Sequence, residues 1–290
     1  MLALCRRNLL LYFKNKAGVF FSLLGAMISL VLYVIFLKKS MLDSWAAVPH
    51  SRQLLDLWLI GGTLSVTGIT TTLTALGQLA KDREQQVIKD FMLTDLSRFE
   101  IKVSYLLSAS LIGFLMQVIM FAIMVSYFGM SDQLHLDSSK LIVILGIAAL
   151  GALLSVTGNM LIVEFVHRID TLGTIGTIVG TATGFLVGTY IPIGALPTFA
   201  QTLIKLTPGA YLASLYRQVM MDQQLAQAFP VEAARQHFER LMGVRLDWGQ
   251  LLSTTTTLQI IILIMLAGVL LLFMGELIQQ RQHQFAYKNE

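Results

Sequence analysis

The chain has 290 residues, 55% hydrophobic and 13% charged, with one cysteine and a formal net charge of +4; its mean hydropathy is +0.69. A soluble domain carries about 25% charged residues, so half that density excludes an ordinary water-soluble globule and indicates an integral membrane protein. The lone Cys5 excludes an internal disulfide, and the small basic excess belongs to topology rather than to nucleic acid.

Taken in chain order, the first 16 residues predict an interfacial helix. Arg7 and Lys14, like Asn8 and Asn15, are two turns apart on one polar face, with Leu2, Leu9, Leu10 and Phe13 on the apolar side. Uncharged windows follow at 17–37, 57–80, 103–131, 141–163, 171–204 and 248–275. Each is long enough for a helix to cross a hydrocarbon core about 30 Å thick. Strand-like alternation is absent, which excludes a barrel. The reading is a single all-α polytopic transmembrane domain over 1–290, with spans at 18–37, 55–79, 103–128, 141–163, 171–190 and 251–274. Arg6 and Arg7 precede an apolar run long enough to span and no clean cleavage site follows, so no removable leader is expected.

Six spans put both termini on one side. The segments on that side (1–16, 81–102, 164–170, 275–290) hold 12 of the 21 Lys and Arg residues, and those opposite (38–54, 129–140, 191–250) hold 9. The inner positions number about 60 and the outer about 90, so basic density is twofold higher inside and both termini are expected in the cytoplasm. Lys38 and Lys39 are expected outside the first span.

Residues 81–102, KDREQQVIKDFMLTDLSRFEIK, are the most charged stretch. Val87, Phe91, Leu93, Leu96 and Phe99 predict an apolar side and Lys89, Asp90 and Asp95 a polar one. A linker needs only a few residues, so this loop reads as a docking element for a partner protein. The second span carries Thr63, Thr67, Thr70, Thr71, Thr74 and Gln78 on one helical face. Such a stripe either packs helices or lines a translocation path. The fifth span carries Gly176, Gly180, Gly184 and Gly188 at a four-residue step. That ridge predicts close helix packing, with Thr174, Thr177 and Thr181 beside it.

No ionisable residue falls in the middle of a span; Asp56, Glu164, Asp170 and Glu276 sit near the ends. Proton relays and many ion-coupled carriers require such groups, so a stand-alone ion-coupled carrier or channel is the alternative reading rather than the first. The dipeptide Gly-Lys never occurs, which removes a phosphate loop. The histidines show no metal spacing. No catalytic constellation, cofactor site or metal site is expected.

The segment GTYIPIGALPTFAQTLIKLTPGAYLASLYRQ, 188–218, resembles the late signature of ATP-binding-cassette type-2 permeases through Gly188, Pro192, Pro197, Leu206, Pro208, Tyr211 and Arg217. The resemblance extends along the chain, from the interfacial helix through six spans to a loop where that family holds its coupling helix. It implies a re-entrant outer hairpin after the fifth span, within an outer segment 191–250. It also implies that 81–102 is the ATPase-coupling loop and that the translocation path runs between the second and fifth spans, with Thr177 and Thr181 beside the Thr63–Gln78 stripe and an outer gate at Leu186 and Val187. The partners implied are two ABC ATPase subunits, which bind the ATP and magnesium, a second permease copy or close homologue, and membrane lipid. Hydroxyl and apolar stripes without charge suit lipophilic or amphipathic cargo, a drug, antibiotic or lipid, and the resemblance implies its export at the plasma membrane, as in multidrug resistance. Residues 222–250 depart from the simplest members. There Val231, Ala234, Phe238 and Leu241 predict a surface helix, with Arg235–Glu239 and Gln236–Arg240 pairs on its wet side.

Overall fold

Long uncharged runs without internal proline favour continuous helices, because in lipid every backbone N–H and C=O needs a partner within its own segment. The computed structural model describes residues 1–134 and 136–288, with side chains through 274. It begins with α1 (Leu2–Lys14), α2 (Lys16–Ser22) and α3 (Leu24–Leu32). Asn15 breaks α1 from α2 and caps the latter by accepting the Gly18 N–H at 3.0 Å. A π-helical turn at Tyr33–Leu37 joins α3 to α4 (Lys38–Ser44), and α5 (Ser51–Glu84) follows. A short α6 (Val87–Phe91) leads to α7 (Arg98–Asp132). Ser97 and Glu100 close a capping box there, the Ser97 N–H donating to Glu100 Oε2 at 2.9 Å and the Glu100 N–H to Ser97 Oγ at 3.2 Å.

A 3₁₀ turn, Ser138–Lys140, opens α8 (Leu141–Glu164), and α9 (Ile169–Leu186) follows. After a second 3₁₀ turn, Ile193–Ala195, come α10 (Thr198–Lys205), α11 (Pro208–Ala228), α12 (Glu232–Met242) and α13 (Thr254–Lys288). Pro208 opens α11 at the position where its missing N–H costs nothing. Among the described residues, five helical segments are long and apolar enough to cross a membrane: Leu24–Ser44, Ser51–Glu84, Arg98–Asp132, Ser138–Glu164 and Thr254–Met274. The bundle is all-α and polytopic.

The structure redraws the bounds of the first and fifth expected spans. The first long apolar helix is not 18–37: residues 16–22 form an elbow, and the helix runs through Lys38 and Lys39 to Ser44. Lys38 is held inward by Asp56 and Asp132 (3.0 and 2.6 Å), which explains why the charges do not end the helix. The predicted span 171–190 is the helix α9, but glycine and threonine dilute its apolar content, and it is not among the five. It stops at Leu186 because Gly188 turns to φ +67°. Thr189 and Tyr190 then both donate to the Gly184 carbonyl, at 2.9 and 3.3 Å. The side chains of the predicted cytoplasmic segment 275–290, Glu276 included, lie outside the described residues.

The fold has an axis. In α5, 83% of the most apolar window is buried, against 28% for the first such helix and 22% for the last. Helices α3, α7, α8, α9 and α11 surround it. α11 runs antiparallel to it: Ser65 Oγ donates to the Gly209 carbonyl at 2.8 Å, whereas Trp58 lies beside Arg217. Ser65 is about 21 Å along α5 from Ser51 at 1.5 Å per residue, so α11 starts well down the length of its neighbour.

Candidate translocation site

A cavity of about 880 Å³ lies between α2–α3, α5 and α9. Phe21, Leu24, Ile28, Leu32 and Phe36 form one wall, Leu73 with Thr70 and Thr74 the back, and Ile169, Gly173, Gly176, Thr177, Gly180 and Thr181 the other wall. No Asp, Glu, Lys, Arg or His lines it. The hydroxyls are not idle. Thr70 Oγ1 donates to the Ser22 carbonyl at 2.7 Å, and Thr74, Thr177 and Thr181 bond back to carbonyls four residues earlier at 2.9, 3.0 and 2.9 Å. Each retains an acceptor lone pair, so the surface is apolar with spaced acceptors.

The threonine stripe of α5 divides. Thr70 and Thr74 line the cavity, whereas Thr63, Thr67 and Thr71 are fully buried. Thr67 and Thr71 bond back to Thr63 and Thr67 carbonyls, and Thr63 Oγ1 has no partner. Gln78 donates to Asp82 at 2.8 Å. Within this chain the three buried threonines serve packing. The separate Thr72 faces α8, where Asn159 Nδ2 donates to its hydroxyl at 2.8 Å.

The glycine ridge of α9 serves three purposes rather than one. A side chain at Gly176 or Gly180 would meet nothing within 4 Å, so both present open backbone to the cavity. The Gly180 carbonyl nonetheless lets α3 approach, lying 3.4 Å from where a Cβ on Gly25 would stand. Gly184 makes room for the Tyr190 ring, 2.1 Å from a hypothetical Cβ, and Gly188 supplies the left-handed turn.

The expected gate residues sit elsewhere. Val187 is buried against Val66 and Ala213, and Leu186 turns its carbonyl to the Thr207 hydroxyl at 2.8 Å. Neither lines the cavity; Phe185 and Tyr190 do, as an edge-to-face pair with centroids 4.9 Å apart. The extra turn after Leu186 rotates Val187 into the bundle.

At the Asp82 end of α5, charge fixes the surface helix. Arg7 grips Asp82 with two bonds of 2.7 and 2.9 Å. Hydrogen bonding to that carboxylate holds the guanidinium pKa above its ordinary value. Tyr105 also donates to Asp82, and the Arg7 guanidinium lies 5.3 Å from the Phe91 ring centroid. The loop 81–102 thereby touches α1 directly. Its helix is a single turn, Val87–Phe91, not a longer amphipathic one, because Gln86 at φ +63° precedes it and the Ser97 cap restarts the chain. Ile88, Phe91 and Leu96 pack toward the bundle, and Val87 is half-buried. Lys89, Asp90, Asp95 and Phe99 are exposed, and Leu93 is 88% exposed. Phe99 packs near Phe273, centroids 5.8 Å apart.

At the Asp56 end, sequence reasoning missed a buried network. Asp56 is fully buried and accepts from Tyr33 at 2.9 Å and Lys38 at 3.0 Å. Lys38 also reaches Asp132, and its ammonium sits 4.9 Å from the Phe128 centroid. The available signal was the pair Lys38 and Asp56, opposite charges flanking one turn between two apolar runs. Another polar node joins Gln117, Tyr216 and the Ala148 carbonyl at 3.0 and 3.1 Å. A glutamine inside an uncharged run was visible in the sequence but carried no charge to draw notice.

The signature residues also take defined places. Pro192 and Pro197 flank the 3₁₀ turn, and Tyr211 is buried with its hydroxyl accepting from Trp248 at 3.0 Å. Arg217 is fully buried with three carbonyl acceptors: Trp58 at 3.1 Å, Gly188 at 2.9 Å and Gly243 at 3.3 Å. Its guanidinium carbon lies 4.6 Å from the Trp58 ring centroid. Gly188 and Gly243 both have positive φ, so one cation ties two left-handed turns to the central helix. In α12, Arg235 meets Glu239 at 3.0 Å, but Glu239 is 1% exposed rather than on a wet face, since Arg245 covers its other side. Gln236 pairs with Glu232, and Arg240 with Asp247. Val231 is exposed, not part of the packed stripe with Phe238.

A helical bundle around one buried axis, with an anchored surface helix and a charge-free membrane cavity, defines a polytopic membrane protein. The profile of the ABC-2 type transporter family matches residues 1–221, most of the chain, and the protein belongs to that family. Its partners as a family are ABC ATPases. Comparison with curated proteins and with solved structures gives no match. The family match ends at Met221, one residue before the segment 222–250 that sequence analysis set apart.

Proposed function

We propose that this chain is the permease subunit of an ATP-driven exporter of lipophilic or amphipathic cargo, seated in the plasma membrane with both termini cytoplasmic. The observation that carries the reading is the cavity: about 880 Å³, apolar, with hydroxyls from α5 and α9 and no Asp, Glu, Lys, Arg or His in its lining. A pocket of that size suits a drug-sized molecule, and hydroxyl acceptors suit cargo with a few polar groups. Two ATPase subunits would dock on the exposed Leu93 side of the 81–102 loop, and a second permease copy would complete the path. Differential affinity for ATP between two arrangements is what moves such an equilibrium. Family membership supports the ATPase; the depth at which α11 begins beside α5 supports a re-entrant α10–α11 hairpin and α9 as a sixth span.

The test is co-reconstitution with a candidate ABC ATPase subunit. Lipophilic cations, amphipathic antibiotics and lipids are screened for stimulation of ATP hydrolysis and for ATP-dependent uptake into inverted vesicles. Stimulation by at least one class is expected, with loss on Gly176→Leu, which fills the cavity. Uphill movement of solute by the chain alone under an ion gradient would replace this reading with an ion-coupled carrier.

A further inference from the structure

Outside the large cavity, and sharing no lining residue with it, a second cavity of about 320 Å³ lies between α11, α12 and the starts of α8 and α13. Lys140, Arg235 and Arg245 face it together with Asp222 and Glu239, with Gln218 at one side. Three cations therefore meet two carboxylates. Both carboxylates face cations within the chain: Glu239 Oε1 meets Arg235 at 3.0 Å, Glu239 Oε2 meets Arg245 Nε at 3.5 Å as an ion pair without a hydrogen bond, and Asp222 meets Arg235 at 3.5 Å. The nearby Asp137 is occupied too, accepting from the Ser139 N–H at 2.9 Å and Gln223 at 3.3 Å. Gln218 spends its amide on Ser214 and Thr257, and its carbonyl on Thr254.

One donor remains unspent. Lys140 Nζ is a buried atom without a hydrogen-bond partner, and among the described residues no carboxylate lies within ion-pair distance of it, whereas Arg245 Nε faces Glu239 Oε2 at 3.5 Å. A buried ammonium lacking an acceptor is costly, and the other cations at the cavity, Arg235 and Arg245, already share Glu239 and Asp222. The geometry points to a binding site for a small anion bearing a carboxylate or phosphate group, held by Lys140 with the charge of Arg245 beside it. Such a group supplies the missing acceptor and cancels the surplus charge, whereas a cation would meet three like charges. The volume lies at the lower end for small-molecule sites, enough for an anionic group and a short substituent. The site draws on residues 222–250, beyond the family match, and gives that segment a purpose separate from cargo passage. It does not rest on the exporter reading.

The experiment uses the full-length chain in detergent. Thermal unfolding is followed with sodium phosphate or sodium acetate against sodium chloride at equal ionic strength, and in nanodiscs of phosphatidylglycerol against phosphatidylcholine. An anion at 100 times its Kd is expected to raise the midpoint by roughly 5 °C or more. Lys140→Met is expected to abolish the rise, and Arg245→Gln to weaken binding of radiolabelled phosphate or acetate at least tenfold. A rise with the soluble anions identifies a solute as ligand; a rise with phosphatidylglycerol alone, lost in Lys140→Met, identifies a lipid headgroup through the same chemistry. Indifference of the wild type to every anion, or a shift that survives in both variants, overturns the proposal.

Discussion

Arg7 and Asp82, 75 positions apart, form a two-pronged ion pair of 2.7 and 2.9 Å that fastens the surface helix α1 to the central helix α5. Asp82 is 1% exposed, while the Arg7 side chain is 32% exposed. Removing the cation therefore leaves a buried carboxylate with only neutral donors. Arg7→Met should destabilise by about 3 kcal/mol, visible as a midpoint roughly 5 °C lower. The double variant Arg7→Met, Asp82→Asn should recover part of the loss, since no uncompensated ion remains. Additive losses in that cycle would show that the two residues act independently.

Arg217 makes a different prediction, because its partners are carbonyls. Arg217→Met strands the Gly188 and Gly243 carbonyls and empties volume beside Trp58, costing about 3–5 kcal/mol. Lysine has one compact head and cannot span three acceptors, so Arg217→Lys should regain less than half of that. Yield of detergent-extractable folded protein and its unfolding midpoint report both. A lysine variant as stable as wild type would contradict the three-acceptor account.

The α9 glycines separate packing from passage. Gly176→Ala and Gly180→Ala add side chains where nothing lies within 4 Å. The isolated chain should be unchanged or up to about 1 kcal/mol more stable, through helix propensity. Gly184→Ala drives a methyl into the Tyr190 ring and should cost about 1–3 kcal/mol. Unfolding midpoints of the three variants decide it: equal losses at all three would restore a single close-packed ridge.

The loop divides likewise. Leu93, 88% exposed, should tolerate Leu93→Asp within about 0.5 kcal/mol, yet the variant should no longer co-purify with its ATPase. Phe91→Asp should instead lower stability, because that ring packs against the bundle beneath Arg7. Normal ATPase recovery with Leu93→Asp would remove the exposed side of the loop from the docking role.

Much of the architecture was legible because lipid leaves little choice. Uncharged runs of twenty residues located the helices now numbered α5, α7, α8 and α13, and the spacing of Arg7 and Lys14 located α1. Less legible was anything decided by one residue's backbone angle. Gly188 ends α9 four residues before the predicted limit, and that turn places Phe185 and Tyr190, rather than Val187, on the cavity wall. Likewise a face pattern could not tell Thr70 and Thr74 from Thr67 and Thr71, since all lie on one broad stripe and only the neighbours decide which are covered. Lys38 misled for a related reason: a charge after an apolar run reads as an exit from the membrane unless its acid, here Asp56 across the turn, is known to be close.

Asp56 and Asp82 stand 26 residues apart on α5, about 39 Å along a straight helix, close to the thickness of a bilayer with its headgroups. Each is bolted sideways, one to Lys38 and the other to Arg7. A strut pinned near both ends resists sliding or rolling by itself. The proposed exporter cycle would then swing whole blocks, with the open glycine flank of α9 as the seam along which they part.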